Sequence, residues 1–130
     1  MEIFVADCLT VRDTPEMGRG VFTLEALDAN IIIEIAPVLV LSAQERVIVE
    51  QTRLNDYIFE WGLDRKQACV AWGYASMYNH RYLSNCEYYM DFDQSIIMIR
   101  TVREIQAGEE LFINYNGDWN DQSPLWFPAK

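Results

Sequence analysis

The stretch Glu87-Tyr88-Tyr89-Met90-Asp91-Phe92-Asp93-Gln94-Ser95-Ile96-Ile97-Met98-Ile99-Arg100-Thr101-Val102 holds two runs rich in aromatic and β-branched residues around the pair Asp93-Gln94. Side chains of these types pack well on a pleated surface and restrict χ1, so both runs prefer an extended backbone. The pattern predicts a β-hairpin turning at residues 93–94. Moving back along the chain, residues 69–72 (CVAW) and 57–61 (YIFEW) have the same character. Moving forward, residues 110–115 (ELFINY) follow the turn signal Ala107-Gly108. Near the N-terminus Ile3, Val5, Leu9 and Val11 alternate with mostly polar neighbours, the period of a half-buried strand. Residues 14–20, with Pro15, Gly18 and Gly20, are expected to form a flexible glycine loop. Beyond it, residues 21–23 and 31–41 read as further strands, with Pro37 at an edge or a bend. Ser42 and Glu45 have the spacing of a capping box, and residues 42–54 predict a short amphipathic helix with Val47, Ile48 and Leu54 on its apolar face. The expectation is a mainly β domain of many short strands and one short helix.

The chain has 130 residues, 51% of them hydrophobic and 23% charged, enough for one packed core without metal or disulfide staples. One domain is expected over residues 1–130, with 116–130 as a C-terminal tail. Ten basic against twenty acidic residues give a net charge of -10, which repels a phosphate backbone and argues against direct nucleic acid binding. Cys8, Cys69 and Cys86, with His80 as the single histidine, supply neither zinc spacing nor a disulfide framework. No metal site is expected. Nor is a membrane span or a signal peptide, since no run of about 18 apolar residues exists and the N-terminus is acidic. Free thiols fit a reducing, cytoplasmic setting.

Three clusters could carry chemistry. Met17-Gly18-Arg19-Gly20-Val21-Phe22 has two glycines one residue apart, which let a ligand approach the backbone or simply make a turn. Tyr78-Asn79-His80-Arg81-Tyr82-Leu83-Ser84-Asn85-Cys86 places donors and acceptors between two apolar runs, suited either to a buried loop or to reading a heterocycle edge. Gly108-Glu109-Glu110-Leu111-Phe112-Ile113-Asn114-Tyr115 ends a strand on a tyrosine, a hydrogen-bonding wall residue or an aromatic plug. No acid beside Ser or Cys suggests a nucleophilic triad, and Cys86 lacks a second histidine to activate it.

In this order and spacing the three clusters resemble the SET-domain family of protein-lysine methyltransferases, in particular its minimal bacterial-type members without zinc-binding flanks. The likeness runs from about Glu2 to Trp126, with GRGVF, NHRYLSN and ELFINY standing for the family's G-x-G loop, N-H-S-x-x-P-N loop and E-L-x-x-x-Y strand. The resemblance implies a β-clip-like arrangement of small sheets in which the Asn-His loop and the final strand cross in a knot-like way. It implies S-adenosyl-L-methionine as cofactor, held by Gly18, Arg19, Gly20, Asn79 and His80, with Trp126 similar to a late aromatic that stacks on adenine. Tyr115 aligns with the catalytic tyrosine, and Tyr88 and Ile113 are candidate walls of a lysine channel. Arg81 and Ser84 stand where the family pattern has serine and proline, which implies a less rigid loop and a charge near the pocket. The implied substrate is a lysine in a basic protein or peptide, drawn to the acidic surface. The competing expectation is a catalytically inactive module that keeps the fold and binds cofactor or basic peptides.

Overall fold

The structure is a computed structural model that describes residues 2–117 and 119–125. Its elements are β1 (Phe4–Val5), β2 (Leu9–Thr14), β3 (Gly18–Thr23), β4 (Ile32–Leu41), α1 (Ala43–Val49), β5 (Ile58–Trp61), β6 (Gln67–Ala71), β7 (Asn79–His80), β8 (Cys86–Asp91), β9 (Ile96–Thr101) and β10 (Glu110–Ile113). Short 3-10 turns cover Arg53–Tyr57 and Ala75–Met77. The fold is mainly β, as the residue pattern implied.

The strands form two sheets, ordered β5-β6-β4-β9-β8, with β1 also paired to β4, and β2-β3-β10-β7. The hairpin expected over 87–102 is β8 and β9, paired from Cys86 opposite Thr101 to Asp91 opposite Ile96. Its turn is closed by Gln94 N, which donates to Asp91 Oδ1 at 3.0 Å. Strand β4 is long because it serves different partners along its length. Residues up to Pro37 pair with β9, and those from Val38 pair with β6. Pro37 sits at that handover, where its missing N–H costs least, so a proline is tolerated in a central strand. The core gathers Ile33, Ala36, Ile97, Ile99, Leu111 and Ile113 from the two sheets, all 0 or 1% exposed.

Three sequence expectations need correction. The alternating N-terminal run is split into β1 and β2, which belong to different sheets, because Ala6 and Leu9 close a turn between them. Gly18, Arg19 and Gly20 are strand rather than loop: β2 and β3 make a hairpin whose register runs through Thr14 opposite Gly18. The capping box is present, with Ser42 accepting from Glu45 N and the Glu45 side chain accepting from Ser42 N, but the helix stops at Val49. Val47 and Ile48 are 57% and 66% exposed, and Leu54 falls in the following 3-10 turn at 46%. The helix is held by its cap and by Arg46, which reaches Glu60 at 2.8 Å and Glu50 at 3.3 Å, rather than by an apolar face.

Candidate active site

Strand β10 lies between β3 and the two-residue strand β7, and its parallel pairing with β7 sets Phe112 opposite Asn79 and Ile113 opposite His80. Long-range pairing thus brings the Asn-His segment beside the last strand. Asn85 secures it from the other direction, accepting from Phe112 N at 2.7 Å and donating to Glu110 O at 2.9 Å, as a peptide group would. The Asn79 amide donates to Arg19 O at 3.2 Å and to Glu110 Oε2 at 2.8 Å, tying β3, β7 and β10 together. Gly20 makes that tie possible. A Cβ there would overlap Glu110 Oε2 and lie 2.9 Å from Asn79 Nδ2.

A cavity of about 840 Å³ opens beside this junction, with Gly18, Arg19 and Asn79 on its wall and the carboxylates of Asp13, Glu16 and Asp56 around it. A second, narrower cavity of about 200 Å³ has an aromatic lining that includes Phe59, Tyr78, Tyr88 and Phe92. Asp56, Tyr57, Ser76 and Tyr115 line both, so the two spaces meet there. The Tyr115 hydroxyl donates to Tyr78 O at 2.8 Å, while Tyr115 N donates to His80 Nδ1 at 3.0 Å. Burial, with the charge of Asp56 next in size, pushes the Tyr115 phenol up to about 12. The group is therefore a neutral hydroxyl whose proton is committed to a carbonyl.

His80 is half of this arrangement. Its Nδ1 accepts, which fixes the neutral tautomer with the proton on Nε2, and burial lowers its pKa further from protonation. Nε2 is buried and has no hydrogen-bond partner among the described residues. Tyr88 donates to Tyr115 O at 3.1 Å and packs against Phe59, with ring centroids 5.3 Å apart. The Cys86 thiol is pushed up to about 12 by burial and is no nucleophile.

The residues singled out in the sequence therefore separate. Gly18, Arg19, Asn79, Tyr88 and Tyr115 line the cavities, and His80 packs behind Tyr115. Gly20 faces the Asn79–Glu110 pair instead of open space. Ile113 lines neither cavity: it is 0% exposed in the core, and its carbonyl accepts from Arg81 N at 3.1 Å. Strand alternation turns it inward. Ile113→Tyr should then strain the core, costing about 1–3 kcal/mol of stability in a denaturant titration. Trp126 lies outside the described residues. Arg81 stacks its guanidinium 4.0 Å from the Phe112 ring centroid, on the protein's own surface rather than in a pocket. Ser84 does not loosen the loop. Its N–H donates to Trp119 O at 3.1 Å, a bond that proline cannot make, and its hydroxyl donates to Cys86 O at 2.7 Å. The sequence reading missed Asp56 and Tyr57, which stand in no motif, and the inward role of Glu110, visible only across strands.

Among the described residues no group of three His, Cys, Asp or Glu is placed to hold a metal ion, and no helix is long and apolar enough to cross a membrane. Comparison with solved structures finds a Plasmodium falciparum candidate histone methyltransferase, 26% identical with a TM-score of 0.65, covering 88% of this chain and 98% of that one. The Chaetomium thermophilum Polycomb Repressive Complex 2, in an autoinhibited conformation bound to S-adenosylmethionine, aligns with a TM-score of 0.70. At 22% identity, over 85% of this chain and 15% of that one, it speaks for the fold. A Schizosaccharomyces pombe histone-lysine N-methyltransferase, H3 lysine-37 specific, is 42% identical over 92% of this chain and 76% of its own length. The SET domain model matches residues 18–116, a span that takes in β3, β7 and β10 together, and with that relative it makes this protein a member of the SET-domain family.

Proposed function

We propose that the protein is an S-adenosylmethionine-dependent protein-lysine N-methyltransferase acting on a basic, histone-like substrate. The observation that carries this reading is the meeting of a wide, carboxylate-edged cavity and a smaller aromatic one at Tyr115 and its neighbours Asp56, Tyr57 and Ser76. The wide cavity suits the cofactor. Asp13, Glu16 and Asp56 complement a ligand with cationic sulfonium and ammonium groups, and Gly18 and Arg19 bring backbone to the wall. S-adenosylmethionine, when bound, supplies an electrophilic methyl that passes to a neutral amine by in-line displacement of the sulfur.

The chain's own residues have three tasks. Phe59, Tyr78, Tyr88 and Phe92 strip water from an entering lysine side chain, and this desolvation lowers an ammonium pKa that is about 10.4 in water. Tyr115, its proton held by Tyr78 O, presents lone pairs that orient an amine N–H. A neutral phenol with a pKa near 12 is a weak base, so Tyr115 aligns the amine rather than deprotonating it. The tie of Asn79 to Arg19 and Glu110 keeps β3, β7 and β10 in register around the cofactor cavity. Cys8, Cys69 and Cys86 are all free, which suits a reducing, cytoplasmic or nuclear compartment.

The test is to incubate the protein with methyl-labelled cofactor and a panel containing core histones, other basic proteins and acidic controls, and to locate the label by mass spectrometry. Label on lysine of a basic protein is expected. Cofactor binding without transfer to any of them would favour the inactive module instead. A net charge of -10 further predicts that kcat/KM for a basic peptide falls as salt rises, since charge steering fades beyond a Debye length of about 10 Å at 0.1 M. A flat salt profile would remove steering from the account.

A further inference from the structure

Glu34 is 0% exposed near the start of β4, and among the described residues no cation pairs with it. Its Oε2 accepts from Tyr74 N at 2.7 Å, and its Oε1 accepts from the Tyr78 hydroxyl at 3.0 Å. Ala75 N supplies a further backbone donor. The carboxylate reaches the 74–78 turn because position 73 is glycine: a Cβ there would lie 2.5 Å from Glu34 Oε2, and the φ of +69° is one that L side chains rarely adopt. Tyr78 is buried, and its carbonyl is the acceptor for the Tyr115 hydroxyl. One carboxylate therefore pins both ends of the segment whose last carbonyl sets the orientation of Tyr115.

We propose that Glu34 is a positioning residue for methyl transfer, acting through Tyr78 on the hydroxyl of Tyr115. The ionised carboxylate is the form that does this. Its two oxygens accept from the turn and the phenol together, whereas a proton on Oε1 would compete with the Tyr78 O–H and free the turn to shift. The groups facing Glu34 are the Tyr78 phenol from the turn and, against that phenol, the thiols of Cys8 and Cys86. Burial raises the Glu34 carboxyl from 4.5 to about 7, with its hydrogen bonds opposing, so the active form is lost as pH falls through neutrality.

The activity arm rests on the methyl-transfer reading, and a spectroscopic arm does not. Glu34→Gln keeps size and can still accept from the turn, but it imitates the protonated acid toward Tyr78. At pH 8 its kcat should fall about tenfold with the peptide KM and the affinity for S-adenosylhomocysteine little changed. In a Tyr115→Phe background the same change should have almost no effect, because the group through which Glu34 acts is gone. Both pH profiles of log kcat carry the slope of one from the amine, and the ratio of wild-type to Glu34→Gln kcat should fall from about tenfold at pH 8 toward one near pH 5, because protonating Glu34 brings the wild type to the variant's level. With tyrosine labelled at 13Cζ, the Tyr115 signal of the wild type should shift with a midpoint near 7, and that of Glu34→Gln should not. Active protein with an unchanged kcat in Glu34→Gln, or a Tyr115 signal indifferent to Glu34, overturns the inference. If the signal follows Glu34 and no transfer occurs, methyl transfer is the reading that fails and the coupling stands.

Discussion

Tyr115→Phe should leave a folded protein that binds S-adenosylhomocysteine within about threefold of the wild type and methylates roughly a hundredfold more slowly. The fold survives because the ring keeps its tilted contact with His80, centroids 5.0 Å apart, and Tyr115 N still donates to His80 Nδ1. What disappears is one oxygen on a residue that lines both cavities. Tyr78 O loses its donor, a penalty of about 1 kcal/mol that a thermal melt should register as a small drop. Cofactor affinity is little affected, since the wall formed by Gly18, Arg19 and Asn79 is untouched. Turnover suffers because the amine loses the lone pair that holds it toward the methyl, and misalignment on this scale acts on the transition state more than on binding. The pH profile separates alignment from base catalysis. With a phenol pKa near 12 the Tyr115 hydroxyl stays protonated, so the variant's rate should keep rising with pH as the substrate amine deprotonates. A variant that transfers at the wild-type rate would falsify the role given to Tyr115, and one whose pH dependence vanishes would make it the base.

The strands were legible in the sequence wherever β-branched residues ran together, and least legible where pairing partners change. The 87–102 hairpin reads directly, because both strands and the turn are adjacent in sequence. The break between β1 and β2 does not, since the alternation of Ile3, Val5, Leu9 and Val11 is unaffected by which sheet each half joins. Gly18 and Gly20 look alike in the sequence but do different work. The first has a φ of +71° with open space around it, and the second is a strand residue pressed against two side chains. The place of Ile113 is hidden for a similar reason, because proximity to Tyr115 in sequence does not say which face of β10 a side chain takes. Asp56, Tyr57 and Glu34 carry no local signature at all. Glu34 sits in an apolar strand 44 residues before the phenol it binds, and only the closed sheet shows that its carboxylate has a purpose.

Gly20→Ala should weaken S-adenosylhomocysteine binding by roughly tenfold, about 1.4 kcal/mol. The added carbon would overlap the Glu110 carboxylate and sit 2.9 Å from the Asn79 amide, closer than Cβ atoms tolerate. One of those groups must move. Asn79 is held on β7 by its own bond to Arg19 O and by the pairing of β7 with β10, so the Glu110 carboxylate, the far end of a flexible side chain, gives way and Asn79 on the cavity wall loses that acceptor. Overpacking of this kind costs about 1–3 kcal/mol of stability as well. Gly18→Ala is the contrast: nothing lies within 4 Å of its Cβ position, and the cost there is the strain of a positive φ, about 1–2 kcal/mol, without a clash across the strands. The double change Gly20→Ala with Glu110→Ala discriminates the cause. Removing the carboxylate clears the space that the new methyl needs, so a denaturant titration should show the double variant more stable than Gly20→Ala alone, although Asn79 then lacks one acceptor. If the double variant is no better than the single, the clash lies elsewhere and the tie between Asn79 and Glu110 is not what Gly20 protects.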